Sequence, residues 1–205
     1  MPTYDAILFD FDGVLADSEP VHFACWCEAL ADFDLRLDWE TFAACCVGVS
    51  ERGTIEFFLK HAHKPASYEE MRNRYPRKQA LVRERMRATP PLLAGTLDLI
   101  RTLDGYALAV VSSSAHAEID PVQEAAGLRQ LFQTVICGED VERHKPAPDP
   151  YLKAAQLLAA TNPLVVEDSA VGEQSGLAAG FDVLRVSSAA AMAALLRETL
   201  RSARD

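Results

Sequence analysis

Asp10 and Asp12 stand one residue apart, followed by Gly13, at the end of the apolar run Ala6-Ile7-Leu8-Phe9. Two carboxylates this close repel each other unless a cation lies between them or one is protonated. The glycine lets a phosphate or a metal approach the backbone closely. Glu167-Asp168 and Ser112 also close apolar runs, and Lys145 follows a longer loop after another. Carboxylate oxygens without histidine or cysteine among them suit a hard cation such as Mg²⁺ rather than zinc. A lysine ammonium and a hydroxyl beside backbone N–H groups are donors for phosphate oxygens. A carboxylate nucleophile with a cation, a lysine and a hydroxyl around it makes a phosphoryl-transfer site, where catalysis is mostly positioning and electrostatic stabilisation.

These residues can meet only if the runs before them are strands of one open parallel sheet, whose reactive edge is formed by the C-terminal strand ends. The pattern predicts such strands over 6–9, 107–112, 134–137, 164–166 and 183–186. From Pro91 onward they alternate with helices over 96–103, 115–126, 150–160, 171–179 and 192–201. Between the first strand and the rest lies a block that reads as all helix: 21–33, 39–46, 51–61 and 68–88, the last kinked or divided by Pro76. The expected architecture is therefore α/β: a three-layer, Rossmann-like core with a parallel sheet (residues 1–16 and 89–205) and a small all-helical domain inserted after the first strand (residues 17–88).

The chain has 205 residues, 20 Lys+Arg and 30 Asp+Glu, for a formal charge of −10, and 49% apolar residues. That is enough for a buried core. Such acidity argues against a broad nucleic-acid-binding face. No run of 18 apolar residues is present, and the N-terminus lacks the pattern of a signal peptide, so a cytoplasmic protein with no membrane partner is expected. The five cysteines form no C-x-x-C pair and read as small buried apolar residues. Residues 17–88 hold 11 Lys/Arg and 12 Asp/Glu, net −1, so the core carries −9. The basic stretch from Arg72 to Arg87 reads either as a solvated helix face or as a cationic face that attracts an anionic substrate.

Asp10-Phe11-Asp12-Gly13-Val14-Leu15 resembles the first motif of the haloacid dehalogenase-like (HAD) hydrolase superfamily. Ser112, Lys145 and Glu167-Asp168-Ser169 match its other three motifs, in order. His144-Lys145-Pro146-Ala147-Pro148-Asp149, Glu167-Asp168-Ser169-Ala170-Val171-Gly172 and Asp17-Ser18-Glu19-Pro20-Val21-His22-Phe23 resemble the subgroup containing β-phosphoglucomutase and small sugar-phosphate phosphatases. The resemblance implies that Asp10 attacks phosphorus to form an aspartyl-phosphate, and that Asp12 first protonates the leaving oxygen and then activates water. It implies Mg²⁺ bound by Asp10, the Asp12 carbonyl and Asp168, with Glu167 in or near that shell. Ser112, Ser113 and Lys145 would hold the phosphoryl group, and the helical insert would act as a cap. The dehalogenases of the superfamily lack an acid at the position of Asp12, so its presence favours phosphate-ester chemistry.

A mutase must also hold a second phosphate. In β-phosphoglucomutases an arginine follows Gly-Val-Ser in the cap, whereas here Glu51 follows Gly48-Val49-Ser50 and Arg52 comes one place late, about 100° round a helix. The mutase core loop carries lysine and asparagine where this chain has Ala115 and His116. His22 and Lys78 keep the mutase-like pattern, although His22 also reads as a partly exposed packing residue. The expectation is a monomeric Mg²⁺-dependent phosphatase of small phosphorylated metabolites, sugar or polyol phosphates. A phosphosugar mutase is the alternative, with Arg52, His22 and Lys78 as cap contacts. A receiver-like phosphoacceptor module is disfavoured because its acceptor ends the third strand rather than the first. A serine-hydrolase reading of Ser112-Ser113-Ser114 fails for want of a G-x-S-x-G elbow.

Overall fold

The computed structural model describes residues 4–47, 49, 51–93 and 95–203. Gly48 and Ser50 of the Gly48-Val49-Ser50 motif lie outside the described residues. The chain forms two compact units, one from residues 1–17 and 90–205 and the other from residues 18–89.

The first unit holds a five-stranded, all-parallel sheet in the order β3-β2-β1-β4-β5, with β1 Ala6–Phe9, β2 Ala107–Val111, β3 Thr134–Ile136, β4 Pro163–Glu167 and β5 Asp182–Arg185. β1 and β4 are buried along their whole length, which is why their sequences are apolar runs rather than alternations. Ala6 and Leu8 face one side, in a cluster with Ala109, Val111, Ile136 and Val165 and with Tyr151, Ala154 and Ala155 of α8 (Asp149–Leu158). Ile7 and Phe9 alternate to the other side and are equally buried, Phe9 meeting Phe132 edge-on at 6.1 Å. The remaining helices of this unit are α6 (Thr96–Arg101), α7 (His116–Ala125), α9 (Ala170–Ala178) and α10 (Ala189–Ser202). This is the expected α/β fold. Its last strand begins one residue earlier than the apolar pattern indicates, because Asp182 pairs with Leu164.

The second unit is helical: α1 (Glu19–Ala29), α2 (Trp39–Cys46), α3 (Glu51–His61), α4 (Tyr68–Arg72) and α5 (Tyr75–Ala88). The long helix expected over 68–88 is divided at Asn73-Arg74, ahead of Pro76. Proline falls in the first turn of α5, where its missing N–H costs nothing. The core of this unit is Trp26, Leu30, Phe42, Ile55, Phe58 and Met71. Phe58 lies 5.2 Å from Trp26, centroid to centroid.

One expectation for the cysteines is corrected. Cys45 is exposed, because α2 turns Phe42 and Cys46 inward; Cys25, Cys46 and Cys137 are buried as expected. The arginines of the basic stretch are exposed or half-exposed, as on a solvated helix face, and several of them are paired. Arg72 pairs with Glu51, Arg74 with Asp32, and Arg77 and Arg85 both with Glu28, while Lys78 is buried at 5% exposure. No helix among the described residues is long and apolar enough to cross a membrane.

Both tryptophans, Trp26 and Trp39, belong to the helical unit, so their fluorescence reports on its unfolding. Phe58→Ala removes the centre of its aromatic core and is expected to cost about 3–5 kcal/mol. The fluorescence-detected urea transition should move to lower denaturant. An unmoved transition would show that this ring does not carry the core.

Candidate active site

The strand register sets the site. Phe9 is level with Val110 on one side and Val166 on the other, so the next residues along bring Asp10, Val111 and Glu167 to one edge. Backbone bonds extend the ladder past the strand ends: Asp10 N–H donates to the Val166 carbonyl and Ser112 N–H to that of Ile136, each at 2.9 Å. Lys145 enters from the loop before α8. Its ammonium donates to Asp10 Oδ1 at 2.7 Å, Glu167 Oε1 at 2.6 Å and the Val111 carbonyl at 2.9 Å. The Lys145 side chain is 6% exposed and that of Glu167 is wholly buried.

Glu167 is surrounded by donors. Oε1 accepts from Lys145 and from the Tyr151 hydroxyl at 2.7 Å. Oε2 accepts from the N–H groups of Asp168 and Ser169 and from the Ser169 hydroxyl, all at 3.1 Å. Burial raises its pKa, but Lys145, Tyr151 and Ser169 outweigh that and hold it below the ordinary carboxylate value. Asp10 is pushed the other way. Burial holds it well above the usual range, with Glu167 and Asp12 adding to the shift and Lys145 opposing it. Asp168 is pushed up to about 6 by burial and then by Glu167. Ligand oxygens of Asp10, Glu167 and Asp168 lie within 4.8 Å of one another. Negative charge crowded in this way is relieved by a cation.

The Asp12 side chain is not part of that carboxylate cluster. Its Oδ2 accepts from the Ser114 hydroxyl at 3.2 Å, and Ser114 N–H donates to Ser112 Oγ at 3.0 Å. Ser112 is buried and Ser113 exposed. Gly13 has φ +77°, and a Cβ there would lie 1.9 Å from Asp168 Oδ2. Glycine thus lets the first and fourth motifs touch.

Asp10, Asp12, Ser112, Lys145, Glu167 and Asp168 therefore gather at one sheet edge. Among the cap candidates, His22 and Lys78 meet within the helical unit. Lys78 Nζ lies 2.7 Å from His22 Nδ1, and 5.4 Å and 5.6 Å from the ring centres of Trp26 and Tyr75. Arg52 does not join them. It is 80% exposed and pairs with Glu56 one turn along α3 at 2.9 Å, as the one-place displacement implies. Sequence reasoning assigned no role to Ser114, Tyr151 or Ser169. Ser169 carries a detectable signal, because it caps α9 through its bond from Gly172 N–H.

A sheet edge carrying four motifs in this order can be compared with known proteins. The sequence model of the haloacid dehalogenase-like hydrolases matches residues 7–186. The chain belongs to that family. Among the relatives of this HAD hydrolase is the fructose-1-phosphate phosphatase YqaB of Escherichia coli, 29% identical over 192 residues, covering 89% of this chain and 96% of YqaB. The hexitol phosphatase A of Escherichia coli is 32% identical over 187 residues, covering 89% and 83%. The crystal structure of CbbY from Rhodobacter sphaeroides in complex with phosphate superposes with a TM-score of 0.69 at 27% identity, covering 89% of this chain and 87% of that one.

Gly172 tests the position of the Glu167 carboxylate. Alanine favours a helix over glycine by about 1 kcal/mol, so propensity alone predicts a stabilised variant. A Cβ at Gly172 would lie 1.7 Å from Glu167 Oε1 and 2.0 Å from its Cδ, so the carboxylate would have to leave its donors. Gly172→Ala is expected to lose about 2–4 kcal/mol in urea unfolding. A gain in stability would show that the carboxylate lies elsewhere.

Proposed function

We propose that this HAD hydrolase is a Mg²⁺-dependent phosphatase that acts on small phosphorylated metabolites, sugar or polyol phosphates, through an aspartyl-phosphate on Asp10. The observation that carries the reading is the bond from Lys145 to Asp10, with the Ser112–Ser114 loop and Asp12 beside it. That arrangement sets a carboxylate nucleophile next to a cation and hydroxyl donors able to receive phosphate oxygens. The naming of relatives as phosphatases of fructose 1-phosphate and of hexitols supports the substrate class.

In this reading an Asp10 oxygen attacks phosphorus as the bond to the ester oxygen breaks. Asp12 gives its proton to that departing oxygen, so an alcohol leaves. Asp12 then takes a proton from water as the water oxygen attacks phosphorus, the Asp10–phosphorus bond breaks, and inorganic phosphate is released. Ser112, Ser113 and Lys145 hold the phosphoryl oxygens. The Ser114 hydroxyl orients the Asp12 carboxylate.

The residues present fit Mg²⁺, because the donors are carboxylates with no histidine or cysteine in the cluster. Asp10, Asp168 and the Asp12 carbonyl would hold the ion. Glu167, whose oxygens already accept from five donor groups, acts from just outside by fixing Lys145 and the start of α9. Bound there, Mg²⁺ would neutralise phosphate charge as it develops. The helical unit serves as the cap. Glu51 stands where the mutases carry an arginine, and Arg52 is paired with Glu56, which favours a monophosphate hydrolase over a mutase that must grip a second phosphate.

Turnover of an aryl phosphate should require Mg²⁺ and stop on chelation. It should fall by more than about 10⁴-fold in Asp10→Asn, the scale on which loss of a nucleophile is felt. Activity that survives either change would overturn the assignment. β-Glucose 1-phosphate supplied with a bisphosphate primer should release inorganic phosphate. Glucose 6-phosphate formed without it would make the enzyme a mutase.

A further inference from the structure

His116 opens α7, two residues beyond Ser114, and belongs to none of the motifs. Carboxylates meet both of its ring nitrogens: Nε2 lies 2.8 Å from Asp140 Oδ2, and Nδ1 lies 3.1 Å from Asp120 Oδ2. A neutral imidazole has one N–H and one lone pair, so one of these contacts would set a lone pair against a carboxylate. Both contacts are favourable only for the imidazolium. The His116 backbone N–H also donates to Glu139 Oε1 at 3.0 Å.

The connection runs into the active site. Asp140 Oδ2 also accepts from Cys137 N–H at 2.8 Å, and Gly138 N–H donates to the Ser114 carbonyl at 2.9 Å. The 138–140 turn is therefore laced to the serine loop on one side and to His116 on the other. Ser114 in turn donates to Asp12. The charged groups around His116 are mainly acidic. Its own helix supplies Glu118 and Asp120, the turn supplies Glu139 and Asp140, and α8 sends Lys153 to the Asp140 carbonyl. Burial first, then Asp120, Glu139, Asp140 and Asp12, push the neighbouring Cys137 thiol up to about 12. That neighbour reports a negative field. Burial works against the His116 cation, but the bonds to Asp120 and Asp140 outweigh it and raise its pKa above 6.5.

We propose that His116 is a positioning residue whose imidazolium ties the Ser112–Ser114 loop to the 138–140 turn and offsets the acidic charge beside the phosphate subsite, so that affinity for phosphate falls when it deprotonates. The inference rests on the phosphatase reading for the identity of that subsite. The charge fixes the direction: the His116 contribution to phosphate affinity is present while the imidazolium is protonated and is lost as pH rises through its folded-state value, which lies above 6.5.

The test is the pH profile of kcat and KM for an aryl phosphate with Mg²⁺, in the wild type, His116→Gln, His116→Arg and Asp120→Asn. The wild-type KM should rise roughly fivefold, the scale of one partly exposed charge, as His116 titrates, with kcat changing less than KM. His116→Gln should show the raised KM already at pH 6. His116→Arg, which can donate to both carboxylates and stays charged, should keep the low KM past pH 8. In Asp120→Asn the rise should begin about one pH unit lower, and this variant also serves if His116→Gln does not fold. Imidazole NMR should place the His116 titration above 6.5. A KM for His116→Gln within about twofold of wild type across the range, or a His116 titration at or below about 6.5, would overturn the proposal. Calorimetric binding of inorganic phosphate to the same proteins reads the same dependence without turnover. A chain inactive toward phosphate esters would therefore sink the phosphatase reading while the role of His116 was still decided.

Discussion

Lys145 stands between Asp10 and Glu167 at 2.7 Å and 2.6 Å, where none of the three ions would be stable alone. Removing a charge from water costs several kcal/mol even after the protein relaxes, and a buried pair recovers this only when its remaining hydrogen-bonding capacity is met. Here it is met by the Val111 carbonyl, the Tyr151 hydroxyl and the backbone at the start of α9. The three charges consequently have one arrangement that suits them. β1, β2, β4 and the loop before α8 must hold their positions to provide it.

The same arrangement sets the two carboxylates apart. Glu167 lies below its ordinary pKa because its donors surround it, while Asp10 lies well above because burial and its acidic neighbours outweigh one ammonium. Two carboxylates a few ångströms apart are thus pushed in opposite directions by their surroundings. The saturated one is suited to a fixed structural role. The other, in the function proposed above, is the one left to meet a cation and an incoming phosphorus. Stability and reactivity are divided between neighbouring side chains of the same chemical type.

The sequence displayed the parts of this scheme that depend on chain order. Asp10, Asp12, Ser112, Glu167 and Asp168 were legible because they close apolar runs, and Lys145 because it follows a loop after another; a parallel sheet brings such ends together. The alternation after Pro91 and the helical block before it announced the architecture for the same reason. Contacts between distant segments were not legible. Tyr151 lies on a helix whose apolar face accounts for it without any hydroxyl role. Lys78 stood out through the mutase-like pattern, but its burial against Trp26 and Tyr75 was not legible. His116 was legible as a departure from the mutase loop, but its partner Asp140, 24 residues away, came only with the fold. Helix period alone set Arg52 about 100° round the helix from the place of the mutase arginine, but its pairing with Glu56 needed the fold.

The contact between Glu167 and Gly172 also constrains how this stretch can drift over evolutionary time. With glutamate at 167, its carboxylate fills the space that any β-carbon at 172 would need, so the two positions are not free to vary separately. A lineage that replaced Gly172 first would pass through a poorly folded intermediate. One that first shortened residue 167 to aspartate would free that space but draw the carboxylate away from Lys145 and Tyr151. Either change alone is therefore costly, and the strand end and the helix are held to the same pair of residues.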